Sequence, residues 1–207
     1  MKKKFVNAIL KNQKAFGLNL VDSQIEKVAE YYEIVKKNNA LLHLVAPCSD
    51  EEFAVRHILE SLTLLEFLPE RAKFADVGTG AGLPSIPCLL VREDLEAVLI
   101  ESKLKKSVFL QEVAEKCSFK NRINIINRQF EEVSKLAVTY ITCRALDKFT
   151  QKLPKILRWS KGANLLFFGG NSLREELIKN CVEFTEKLMP LSEQRFLFIS
   201  QKTTHHL

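Results

Sequence analysis

Asp76-Val77-Gly78-Thr79-Gly80-Ala81-Gly82 is the stretch on which the reading of this chain turns. It follows a short apolar run at 74–77, and its alternating glycines Gly78, Gly80 and Gly82 let the backbone reverse tightly and approach a ligand where a side chain would collide. A nicotinamide or flavin fingerprint, G-x-G-x-x-G, would put its third glycine at position 83, which is Leu83. The spacing G-x-G-x-G after a strand ending in Asp76 is instead the usual pattern of class I methyltransferases, whose S-adenosylmethionine has no pyrophosphate to be cradled. A glycine turn that serves only chain reversal is the plain alternative.

About 20 residues beyond the glycines, Val98-Leu99-Ile100-Glu101 ends in a carboxylate that can accept hydrogen bonds from both hydroxyls of a ribose. Dinucleotide enzymes share that geometry, so Glu101 speaks for an adenosine and not for methyl transfer. An exposed charge at a strand end is the other reading.

Working outward from the loop, short apolar strands alternate with amphipathic helices from Lys73 onward, the mark of a sheet covered on both faces. Strands are expected over 74–77, 97–100, 123–126, 140–143 and 164–168, with helices near 84–91, 103–117, 130–136, 149–158 and 171–180. Two last strands, near 183–188 and 195–200, lie too close together for a helix to intervene and should pair as an antiparallel hairpin at the sheet edge. Before the loop, Ile25, Val28, Ala29, Tyr32 and Val35 recur at helical spacing behind the capping candidates Asp22 and Ser23. A further helix should start at Asp50 and run through Phe53, Ile58, Leu62 and Leu65 to Phe67, with Pro69 closing it. The expected organisation is a helical extension, 1–70, on an α/β domain, 71–207, with a mostly parallel seven-stranded Rossmann-like sheet and an antiparallel edge hairpin.

Composition narrows the possibilities further. The 207 residues are 46% hydrophobic and 27% charged, and no apolar run approaches the ~18–20 residues that span a bilayer. The basic start Met1-Lys2-Lys3-Lys4 is followed by Lys11, Asn12, Gln13 and Lys14, which interrupt any signal-peptide core, so a cytoplasmic protein is expected. Cys48, Cys88, Cys117, Cys143 and Cys181 are odd in number and form no C-x-x-C pair, which reads as reduced, mostly buried thiols. His43, His57, His205 and His206 show no ligand spacing with cysteines or carboxylates, so no metal is expected. The formal charge of +6 is uneven: residues 1–70 hold 9 basic and 10 acidic side chains, residues 71–207 hold 22 and 15. A basic second part suits phosphates, although lysines kept for solubility would give the same count.

Three runs carry a resemblance: Arg56-His57-Ile58-Leu59-Glu60-Ser61, the loop continued as Leu83-Pro84-Ser85-Ile86-Pro87, and Glu101-Ser102 followed by Lys105-Lys106. Together they resemble the glucose-inhibited division protein B family, the bacterial 16S ribosomal RNA guanine-N7 methyltransferases, over nearly the whole chain. The resemblance implies transfer of a methyl group from S-adenosylmethionine to N7 of a guanine in small-subunit ribosomal RNA. Carried over by position, it puts cofactor contacts on Gly78 and Leu83 and on Phe130 and Glu131, beside Asp76, Gly80, Gly82 and Glu101 of the motif itself. Arg144, in Thr142-Cys143-Arg144-Ala145, matches the family's S-R-A arginine, which makes it a cofactor contact and a positioning residue. The expected partner is small-subunit ribosomal RNA, free or in the assembling 30S subunit, met by a monomer.

Guanine N7 carries an in-plane lone pair and no proton, so its methylation needs alignment and no general base. Candidates for gripping the RNA are Arg56 beside His57, the cluster Lys103, Lys105 and Lys106, the stripe Lys148, Lys152 and Lys155 at helical spacing, and Arg195. A solvated helix face would look the same as that stripe. Departures from the family fall at His43-Leu44-Val45, where it has N-L-T, at Gln129, where an arginine is usual and Arg128 stands next door, and at Gly169, where a lysine is usual. Two rival readings stay open: a methyltransferase for a small molecule or a protein, and a non-catalytic RNA-binding protein on the same fold.

Overall fold

A computed structural model describes residues 2–134, 136–144, 146 and 148–201. Ala145, Asp147, His205 and His206 of the sequence reading lie outside the described residues.

Seven strands make one sheet: β1 (Lys73–Val77), β2 (Glu96–Ile100), β3 (Ile123–Ile126), β4 (Tyr140–Arg144), β5 (Asn164–Gly169), β6 (Thr185–Leu188) and β7 (Phe196–Ser200). Their order is β3-β2-β1-β4-β5-β7-β6, with β1 to β5 parallel and β7 antiparallel to both β5 and β6. The expected edge hairpin is therefore present. The chain moves outward from β1 to β3 and then returns to β4 on the other side of β1. Ligands in open α/β sheets sit at such a reversal, beyond the carboxyl ends of the strands. Val77 and Arg144 end the two strands there.

Side chains alternate across the strands and build two cores. One face, with Ala75, Val77, Val98, Cys143, Phe167 and Phe198, is covered by α7 (Phe149–Trp159) and α8 (Asn171–Lys179) through Leu153, Ile156, Leu173 and Leu177. The other face, with Phe74, Leu99, Leu166, Phe168 and Leu197, receives α5 (Ser85–Val91), α6 (Leu104–Lys116) and the N-terminal helices α1 (Lys2–Asn12) and α2 (Asp22–Leu42). Phe5, Tyr32 and Phe53 cluster inside this layer, the first two stacked at 4.3 Å.

Several local expectations need correction. Helix α2 starts at Asp22 rather than after it: Val21 is the cap position, and the Gln24 side chain reaches back to accept its N–H at 3.0 Å. The helix expected at 130–136 is only a 3₁₀ turn, Phe130–Glu132, because Phe130 turns inward against Trp159 and the chain leaves at once. Ser49, not Asp50, caps the next helix by accepting the Glu52 N–H, while the Asp50 carboxylate pairs with Lys36 and Tyr32. That helix runs as α3 (Asp50–Glu52), a π-helical stretch Phe53–Leu59, α4 (Glu60–Leu62) and a 3₁₀ turn Thr63–Glu66. Only Cys88 and Cys143 are buried; Cys48 and Cys117 are half-buried and Cys181 is exposed. Among the described residues, no helix is long and apolar enough to cross a membrane.

Candidate active site

The loop that follows β1 has positive φ at each glycine: 70° at Gly78, 58° at Gly80 and 94° at Gly82. The three differ in what a side chain would meet. At Gly82 an added Cβ would lie 2.2 Å from Ile86 Cδ1, and at Gly78 2.3 Å from Leu146 Cδ1, whereas at Gly80 nothing but the Gly78 carbonyl comes within 4 Å. Packing presses hardest at Gly82, where Ile86 and Leu110 both stand close; at Gly78 only the flexible end of Leu146 would have to move, and Gly80 faces open space.

Contrary to a simple amide cradle, most of the loop's own N–H groups are spent inside the protein. Gly78 and Thr79 donate to Ile100 O, Gly82 and Leu83 to Thr79 O, and Gly80 to Glu101 Oε2 at 2.9 Å. What the loop offers a ligand is a bare backbone surface that permits close approach. From the opposite side, the buried Tyr31 of α2 donates its hydroxyl to Ala81 O at 2.9 Å, and burial pushes that phenol's pKa well up, so it remains a donor. The N-terminal layer therefore holds the loop directly.

Asp76, expected as a cofactor contact, is fully buried beneath the loop and off the cleft wall. Its Oδ2 accepts from Thr79 Oγ1 at 2.7 Å and from Ser85 Oγ at 2.6 Å, while Oδ1 has no partner among the described residues. Burial raises its pKa to about 7 against the pull of the two hydroxyls. Its place is that of a buttress, tying β1 to the loop and to the start of α5.

Beyond the strand ends lies a cleft of about 630 Å³, within the ~300–1,000 Å³ usual for small-molecule sites. Gly78, Gly80, Leu83 and Glu101 line it, with Lys103 and Lys106 beside them. Glu101 Oε2 accepts the Gly80 N–H and Oε1 the Lys103 N–H at 2.8 Å, so each oxygen uses one lone pair on backbone and keeps one. Two acceptor positions on a nearly buried carboxylate match the two hydroxyls of a ribose, and the open side of Gly80 gives that sugar room. Lys106 donates to His43 O at 3.1 Å and is pulled down in pKa by burial.

Across the cleft stands a group drawn from three distant parts of the chain: Arg56, His57 and Glu60 of the π/α4 segment, Arg144 at the end of β4, and Arg195 before β7. Glu60, its side chain 2% exposed, takes Arg195 Nε on Oε1 at 2.8 Å and Arg144 Nη2 on Oε2 at 3.5 Å. Arg144 also donates from Nη1 to Ser61 Oγ at 3.0 Å and from Nη2 to Arg56 O, and it lies over the Phe168 ring. His57 packs edge-on against Phe53 and lines the cleft. Burial, and then the charges of Arg144, Arg56 and Arg195, lower its pKa to about 3, so the imidazole is neutral at physiological pH. Glu60 carries the buried negative charge of this group, and the sequence reading had given it no role.

The remaining candidates fall elsewhere. Phe130 is buried in the core and Glu131 points outward, 3.8 Å from Lys155, so neither side chain lines the cleft. Lys105 is exposed, and Lys148, Lys152 and Lys155 flank α7 away from the cleft wall, which that helix reaches only through Phe149 and Thr150. The departures have local reasons. His43 ends α2 at φ 47°, and the Asn39 side chain clasps Val45 by both its N–H and its C=O, which supplies the polar contacts that His43 and Val45 cannot. At Gly169 an added Cβ would lie 2.5 Å from Leu173 Cδ2, so α8 has closed over the place of a lysine. Gln129 and Arg128 are both exposed. Among the described residues, no group of three His, Cys, Asp or Glu side chains is placed to hold a metal.

Comparison with known proteins agrees with this geometry. The family described as GidB, rRNA small subunit methyltransferase G, matches residues 24–205. A ribosomal RNA small subunit methyltransferase G of Neisseria meningitidis serogroup C is 31% identical over 156 residues, 75% of this chain and 72% of the relative. One from Corynebacterium diphtheriae is 32% identical over 158 residues, 74% of this chain and 70% of the relative. Among solved structures, a SAM-dependent methyltransferase from Aquifex aeolicus superposes with a TM-score of 0.59 at 14% identity, covering 82% of this chain and 97% of that one. TrmK of M. capricolum, in complex with S-adenosyl-homocysteine, gives 0.56 at 17% identity over 72% of this chain and 70% of that one. At such identities the structures speak for the fold alone.

Proposed function

Since the chain belongs to the GidB family of S-adenosylmethionine-dependent small-subunit rRNA methyltransferases, we propose that its cleft at the β1–β4 reversal performs the transfer, to N7 of a guanine. The observation that carries the site assignment is Glu101: a nearly buried carboxylate on the cleft wall with one acceptor position left on each oxygen, beside the open face of Gly80. These residues fit an adenosine, with Glu101 holding the ribose and Gly78, Gly80 and Leu83 shaping the surface beneath it. The first-turn N–H groups of Phe130 and Glu131 are what that pair can offer the adenine edge.

S-adenosylmethionine supplies an electrophilic methyl group on a sulfonium centre. Against it the protein has to place the in-plane lone pair of N7 in line with the bond that breaks, and such alignment can contribute several kcal/mol, up to about 7–11 in favourable systems. Arg144 serves this indirectly: nearly buried and bonded to Ser61, Arg56 and Glu60, it locks the N-terminal layer to the end of β4 and so fixes the far wall of the cleft. Neutral His57 cannot protonate N7 at physiological pH. Lys103, Lys106 and Arg56 at the mouth would meet phosphates on either side of the target nucleotide. On this reading the protein works as a cytoplasmic monomer on small-subunit rRNA, free or in the assembling subunit.

Mapping N7-methylguanine in the small-subunit rRNA of a strain lacking the gene tests the reading. One modified guanine should disappear and return on complementation; an unchanged map would overturn it.

A further inference from the structure

An enzyme that methylates N7 cannot use N7 as the acceptor by which it recognises guanine, because that lone pair must stay free to attack. The acceptor next to it on the same edge is O6, and in adenine the same position carries an amino donor. A donor-only group aimed at that edge accepts guanine and rejects adenine. Three guanidinium groups border the cleft, and their surroundings separate their roles. Arg144 is 12% exposed and its two Nη atoms are committed to Ser61 Oγ, Arg56 O and Glu60. Arg56 is 44% exposed at the rim and paired with Glu52. Arg195 is held by Nε alone, at 2.8 Å from Glu60 Oε1, and its two Nη atoms have no partner among the described residues.

Resting on the guanine-N7 reading, we propose that Arg195 determines base specificity, donating from its Nη atoms to O6 of the target guanine, and that Glu60 is its positioning residue. The carboxylate that fixes the plane of Arg195 is itself 2% exposed and fixed by Arg144, so the donor edge is set before substrate arrives. Gly170 lets the backbone of this segment run close by: an added Cβ there would sit 3.1 Å from the O of Gln194, the residue before Arg195. Phe168, whose ring lies beneath Arg144, lines the cleft and adds apolar surface to it.

The test pairs a base analogue with a side-chain variant. First, the guanine methylated by the wild-type protein is mapped in small-subunit rRNA. That residue is then replaced by 2-aminopurine, which keeps N7 and the 2-amino group and lacks O6. Wild-type kcat/KM should fall on the order of 10- to 100-fold with the analogue, as expected for loss of one good base contact. Arg195→Met should lose about the same factor on guanine and show no further loss on 2-aminopurine, with affinity for S-adenosylmethionine measured by calorimetry within about threefold of wild type. Arg195→Lys, which keeps the charge facing Glu60, covers the case in which the methionine variant does not fold; it too should discriminate less than wild type. If either folded variant discriminates by the full wild-type factor, or Arg195→Met methylates guanine at the wild-type rate, the assignment of Arg195 is wrong while the guanine-N7 reading stands. If the wild-type product is not N7-methylguanine, the reading itself fails.

Discussion

The two sides of the cleft are built in opposite ways. Around the glycine loop, most of the groups lie within residues 76–101, with Tyr31 bracing the loop from α2, and much of the work is done by backbone: positive φ values, internally bonded amides and one carboxylate that still has acceptor positions to spare. Around Glu60, the work is done by side chains that converge from residues 56–61, 144 and 195, and the guanidinium groups of Arg144 and Arg195 are fixed by groups far from them in sequence. The first side holds a small ligand of constant shape. The second has to fit a nucleotide presented by a macromolecule, and it is assembled only when the N-terminal layer, β4 and the edge hairpin come together.

This difference sets what substitutions should do. The largest effect is expected from Glu60→Ala, which leaves Arg144 and Arg195 facing each other partly buried and uncompensated. Breaking one partner of a buried ion pair typically costs about 3–5 kcal/mol. Urea unfolding should show that loss, and a cost below about 1 kcal/mol would mean the arginines find other partners. Next, Gly82→Ala should cost about 2–5 kcal/mol, the strain of a side chain at φ 94° together with the displacement of Ile86 and Leu110. Gly80→Ala should cost only about 1–2 kcal/mol, for its left-handed backbone, and act mainly on cofactor affinity. Equal stability losses at both glycines would erase the distinction drawn between packing and ligand approach. Glu101→Gln should weaken S-adenosylmethionine binding about tenfold, roughly 1.4 kcal/mol, and also lower stability by about 1–3 kcal/mol, because its NH2 must face the Gly80 or the Lys103 N–H in place of an acceptor.

In pH dependence the two sides should slope in opposite directions. His57 has a folded-state pKa of about 3 against an ordinary 6.5, so its contribution is present above pH 6.5 and lost as pH falls toward 3, when the unfolded chain takes up a proton the folded one refuses. Asp76 has a folded-state pKa of about 7 against 3.8, so the folded state holds the extra proton and stability falls as pH rises from 3.8 to 7. His57→Gln should flatten the acid side of the stability curve, and Asp76→Asn should gain relative to wild type between pH 4 and pH 7. Denaturant midpoints at three pH values decide both, and parallel curves for variant and parent would show that neither group titrates as its surroundings require.

The same contrast explains what could be read from sequence. The glycine turn, the strand positions with their edge hairpin, and the place of Glu101 at the end of β2 are legible because each depends on spacing within a short stretch. Asp76 was placed at the right site with the wrong task, since nothing in the spacing shows that Thr79 and Ser85 turn back onto its carboxylate. Glu60 was passed over because a regular helical period aims Phe53, Ile58, Leu62 and Leu65 inward. Phe53, Ile58 and Leu62 do point inward, but the segment from Ile58 to Leu64 is enclosed on every side, so Glu60 and Ser61 are buried as well, and Leu65 only partly. A glutamate and a serine within an apolar helix were the available signal. Their partners lie 83 residues or more away, beyond any local pattern. Of the lysine stripe, Lys152 and Lys155 lie on α7 while Lys148 stands before it as its left-handed cap, and spacing along a helix cannot say whether that face looks into the cleft.

The most direct test is methyl transfer in a purified system: the protein, S-adenosylmethionine with a labelled methyl group, and small-subunit rRNA or subunits from a strain lacking the gene. Label should appear at one guanine, as N7-methylguanine detected by strand scission at that base, and Glu101→Gln should need a higher cofactor concentration to place it there. Absence of label from the RNA, or label on another atom, would contradict the assignment.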